Sequence, residues 1–135
     1  MFDDGGVVAV PEPEGWTRIL DDQPDVVSAL ARRLRAAALS ALPDLTERVY
    51  PGWQALGLRH PQAGLLGTIF PQPDRVVVYL EHGAALPDPD GLLEGEGQLR
   101  QTRRLVFMPG AGVPTPDQLI TYLDLALEHA LGAAR

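Results

Sequence analysis

The chain has 135 residues, 45% of them apolar, and sets 18 acids against 11 bases for a formal charge of −7. Every base is an arginine, and neither lysine nor cysteine occurs. Those absences exclude Schiff-base and P-loop lysine chemistry, disulfides, thiolate metal sites and cysteine nucleophiles. The excess of acid argues against nucleic acid as a partner unless the arginines gather tightly on one face.

The length and apolar content suit one core, so a single domain is expected. Met1-Phe-Asp-Asp-Gly-Gly6 has neither the basic start nor the apolar stretch of a secretion signal, and no apolar run reaches membrane-spanning length. The expectation is a cytoplasmic protein with no membrane partner.

In chain order, residues 1–23 hold Pro11-Glu-Pro-Glu14 and several glycines, a loop composition that predicts a partly ordered leader. From Pro24 the pattern turns helical: Val27, Leu30, Ala31, Leu34, Ala38 and Leu42 share a stripe, while Arg32, Arg33 and Arg35 are read as lying outside it. Pro24 is expected in the first turn behind Asp22, and Pro43 stops the helix. A second short helix is expected over Asp44–Tyr50, ending before Pro51-Gly52.

Four strands are predicted next, over Ala55–His60, Gly64–Phe70, Arg75–Glu81 and Thr102–Met108. Val76-Val-Val-Tyr-Leu80, apolar on both faces, reads as a central strand. The connections at His60–Ala63 and Pro71–Asp74 are hairpin-sized, so an antiparallel meander follows. Thr115-Pro-Asp-Gln118 is a capping box that opens a last helix with Leu119, Leu123, Ala126, Leu127 and Ala130 on one face. The predicted fold is α+β and two-layered. An antiparallel sheet of four or more strands is covered by N-terminal and C-terminal helices, as one domain over residues 24–135.

The long segment from Glu81 to Arg100 is the most informative for function. Pro87 and Pro89 stiffen it, Asp90-Gly91 turns it, and Leu86, Leu92 and Leu93 can pin it to the core. Its run Gly83-Ala-Ala-Leu-Pro-Asp-Pro-Asp-Gly-Leu-Leu-Glu-Gly-Glu-Gly97, followed by Arg103, resembles the hallmark of the YdhG-like family. Glu47 and Gly52-Trp53 match a second motif of that family, and the resemblance runs from about Pro24 to the last helix. Gln98 stands where the family usually carries lysine, so no lysine anion contact carries over. The resemblance implies a sheet flanked by helices, similar to frataxin-type folds. It also implies the iron-chaperone role reported for one bacterial member, without an established catalytic site.

The residues themselves give no catalytic constellation: no nucleophile elbow surrounds Ser28 or Ser40, and His60 and His129 show no partner. An enzyme with a His82 base is a background alternative. The expected function is a non-enzymatic module, without cofactor, that binds a small ligand or protein partner through Trp53, His82, Arg100 and Arg103. The alternative is iron binding by His82, Asp88 and Asp90, whose oxygen and imidazole donors suit Fe(II) but whose spacing matches no ligand motif.

Overall fold

The computed structural model describes residues 10–133, which form α1 (Glu14–Asp21), α2 (Asp25–Ala41), β1 (Thr46–Tyr50), β2 (Ala55–His60), β3 (Gly64–Pro71), β4 (Val76–Leu80), a 3-10 turn (Gly83–Ala85), β5 (Arg103–Phe107) and α3 (Pro116–Ala133). The strands make one antiparallel meander in the order β1-β2-β3-β4-β5. Alternation along each strand sends Leu56, Leu58, Ile69, Val78, Leu80 and Leu105 toward the helices, where all are fully buried. Helices α2 and α3 pack side by side on that face, and α1 lies against α2 and β2. This is the expected α+β architecture, with a fifth strand added. Among the described residues no helix is long and apolar enough to cross a membrane.

Part of the segment read as a leader is helix α1. Trp16, Ile19 and Leu20 recur at i, i+3 and i+4, so one face of this short helix is buried although Pro11 and Pro13 precede it and Gly15 lies in its first turn. Pro13 does not break the helix because it occupies the N-cap, outside the hydrogen-bonded turns. Residues 1–9 of that leader lie outside the described residues. Pro24 likewise takes the N-cap of α2 instead of a place in its first turn.

The helix expected over Asp44–Tyr50 is instead largely strand β1. Thr46, Val49 and Tyr50 favour extended backbone, and a run this short cannot stabilise a helix on its own. Strand geometry also turns Glu47 toward α2. There it meets Arg35, with Nε 2.5 Å from Oε2 and Nη2 2.8 Å from Oε1. Arg35 therefore belongs to the buried stripe, at i+4 from Ala31 and i−3 from Ala38, and its residue exposure is only 7%. The same guanidinium donates to the carbonyls of Val10 and Pro11, tying the approach to α1 onto α2. The capping box of α3 forms as expected: the Gln118 amide donates to Thr115 Oγ1 at 3.1 Å and Thr115 N–H donates to Gln118 Oε1 at 2.8 Å.

Candidate functional site

Strand β4 ends at Leu80, and the 3-10 turn that follows presses directly on β5. Gly83 makes that contact possible: a Cβ there would lie 2.6 Å from the Arg103 backbone nitrogen. His82, at the N-cap of the turn, is thereby held at the sheet's end beneath the C-terminal half of α3. Its ring centroid is 5.7 Å from that of His129, with the planes tilted by 48°. Beside the pair runs a shallow groove of about 350 Å³, walled by Ala85 and Pro87 on one side and by Leu125, Glu128, His129 and Gly132 of α3 on the other. The walls are mostly apolar, with Glu128 and His129 as the polar side chains among them.

The rest of the loop is consumed in holding itself to α3. The Asp88 carboxylate accepts from the Tyr122 hydroxyl and from the amides of Leu92 at 2.8 Å and Leu93 at 3.2 Å. Tyr122 oxygen in turn accepts from the Asp90 amide at 3.2 Å. Partial burial pushes the Asp88 carboxyl up, but the hydrogen bonds from Tyr122, Leu92, Leu93 and Gly91 outweigh it and hold the group below its ordinary value. Burial, reinforced by the neighbouring carboxylate, pushes the Tyr122 phenol up. Farther along, Glu94 and Arg104 exchange both backbone hydrogen bonds, each 2.9 Å, as an isolated antiparallel bridge.

Of the residues proposed from sequence as one ligand site, the structure gathers few. His82 is not itself a lining residue of the groove but lies against His129, which is. Arg103 turns its guanidinium to the carbonyls of Leu99 at 2.8 Å and Thr102 at 2.7 Å, closing the loop on itself. Arg100 is exposed and makes no hydrogen bond or ion pair among the described residues. Trp53 sits on the β1–β2 hairpin, at the end of the sheet that carries Val76 and Phe107, whereas His82 and Arg103 lie at the opposite end. The four residue steps from Val76 to Leu80 alone place roughly 13 Å between those ends. Nor are His82, Asp88 and Asp90 gathered for a metal: among the described residues no group of three or more histidine, aspartate or glutamate side chains is arranged to hold one.

Sequence reasoning missed His129. The available signal was its position in α3, at i+4 from Leu125 and i+7 from Tyr122, on the edge of the buried stripe. His60 has a local role, its Nδ1 accepting from the amides of Gln62 at 3.1 Å and Ala63 at 3.3 Å in the β2–β3 turn. Compared with protein-family models, with curated proteins and with solved structures, the chain matches none of them.

Proposed function

We propose that the chain is a non-enzymatic cytoplasmic binding module, akin to the YdhG-like proteins its loop motif resembles, that holds a small carboxylate-bearing ligand in the groove between the 3-10 turn and α3. The observation that carries this reading is His129 in the wall of a mostly apolar groove, with the His82 ring centroid 5.7 Å from its own. Neutral imidazole offers one N–H donor per ring, so two rings can grip one carboxylate while Ala85, Pro87 and Leu125 cover an apolar body. Glu128 on the rim weighs against multiply charged anions. The loop carboxylates do not compete for the imidazoles, because Asp88 is bonded to Tyr122 and to backbone amides.

The test is an NMR titration with a panel of aliphatic and aromatic monocarboxylates. Saturable shifts at His82, Leu125 and His129 are expected. His129→Ala should weaken binding by about tenfold, the loss of one charge-assisted hydrogen bond. A panel that leaves these resonances still, or an affinity unchanged in His129→Ala, refutes the groove as the site.

A further inference from the structure

The sheet face turned away from the helices carries a different chemistry. Register puts Thr46, Arg48 and Tyr50 of β1 and Ala55, Gly57 and Arg59 of β2 on that side, with no acid among them. The Tyr50 ring lies close against Gly57, where a Cβ would come 2.5 Å from its Cε2. Arg48 stacks on Tyr50 with its guanidinium carbon 5.5 Å from the ring centroid, and Trp53 packs on Tyr50 at 5.3 Å and 38°. Trp53 is nevertheless 66% exposed, an unusual exposure for the largest side chain. The far side of the face is occupied: Phe70 and Tyr79 pack edge to face at 5.2 Å, and Arg104 is engaged by Glu94 and Gln98.

Five of the eleven arginines, Arg18, Arg32, Arg35, Arg75 and Arg104, are ion-paired. Arg48 and Arg59 make no ion pair or hydrogen bond among the described residues. They are diagonal neighbours on one face, about 7–8 Å apart in regular antiparallel geometry, and Arg48, stacked on Tyr50, is the one nearer the open indole. Two guanidinium groups without an ion pair among the described residues, near a stacking surface, complement a ligand that is flat and aromatic at one end and anionic at the other. A quaternary ammonium ligand, the usual guest of paired aromatics, would face Arg48 at like charge.

We infer that the β1–β2 corner of the open sheet face binds a nucleoside phosphate, its base stacked on Trp53 and its phosphate held by Arg48 and Arg59. The overall charge of −7 repels a long polyanion but costs a mononucleotide little, which favours the free nucleotide over a strand. This site lies on the opposite face of the sheet from α3 and does not depend on the groove.

The chain contains two tryptophans, Trp16 buried and Trp53 exposed, so their indole N–H resonances separate a stacking event from a global change. Titration with adenosine 5′-monophosphate is expected to shift the Trp53 indole saturably and leave Trp16 in place, with binding that weakens as salt rises. Arg48→Ala with Arg59→Ala, and separately Trp53→Ala, should each weaken it by about tenfold or more. Gly57→Ala, which lifts the Tyr50 ring, should also weaken it, whereas His129→Ala should leave it unchanged. Adenosine and inorganic phosphate serve as half-ligands. A single-stranded oligodeoxyadenylate that binds no tighter than the mononucleotide identifies the free nucleotide as ligand. A markedly tighter one identifies a strand end at the same site. No shift of Trp53, or a shift indifferent to the arginine pair, overturns the inference.

Discussion

The hydroxyl of Tyr122 ties the loop after β4 to α3. It donates to Asp88, accepts from the Asp90 amide and so fixes the stretch that ends in Leu92 and Leu93. Tyr122→Phe keeps the ring and removes the bond, leaving the Asp90 amide short of a partner. The expected cost is about 1–3 kcal/mol in urea unfolding, with loss of the wall formed by Ala85 and Pro87 as the accompanying sign. The pair also sets the pH response. Asp88 titrates below its unfolded value, so its contribution is complete above about pH 4 and fades as pH falls through the folded pKa. Tyr122 titrates above its unfolded value, so its contribution is complete below about pH 10 and fades as pH rises through the folded pKa. Unfolding followed across pH should show both limbs in the natural chain, and Tyr122→Phe should flatten the alkaline one.

Between elements, the decisive contact is the ion pair that fastens β1 to α2. Its side chains are only 9% and 10% exposed, so removing one partner strands a charge in the interior. Arg35→Ala is expected to cost about 3–5 kcal/mol in thermal or chemical unfolding, while Arg35→Met combined with Glu47→Leu should recover most of it. Equal losses in the two proteins would show that packing, not the charge, holds the junction. The same pair explains why this corner was opaque in the sequence. Arg35 scores as polar in any stripe, and Glu47 sits in a segment with as many helical as extended residues, so only their meeting reveals that both face inward. Helix α1 was hidden in the same way by the prolines and glycine around it. In contrast, β2, β3, β4, the capping box and the closing helix were legible because hairpin-length connections and apolar alternation act locally. The candidate site was legible only in its loop. His82 stood out beside Gly83, whereas His129 and the Arg48–Arg59 diagonal are products of register and helix docking, which no local pattern states.

At the scale of the molecule, strands adjacent in sequence are adjacent in space, and the one long excursion, from His82 to Thr102, returns to the neighbouring position in the sheet. Such local connectivity predicts folding in the faster range for a sheet-containing domain. It also leaves a meander with two outer rims, and the two are not equivalent. The bridge from Glu94 blocks β5 at Arg104, its second residue, so an incoming strand cannot pair along the whole of that rim without first displacing the loop. The rim of β1 has no such cover among the described residues. A sheet that can be extended on one side only can join a second copy but cannot pass the invitation on to a third. Sedimentation at rising concentration should therefore show monomers and at most pairs, and deleting the backbone bridge by Glu94→Pro should be what first permits longer assemblies. Resistance to fibre growth is then the expected by-product of where the loop after β4 comes to rest.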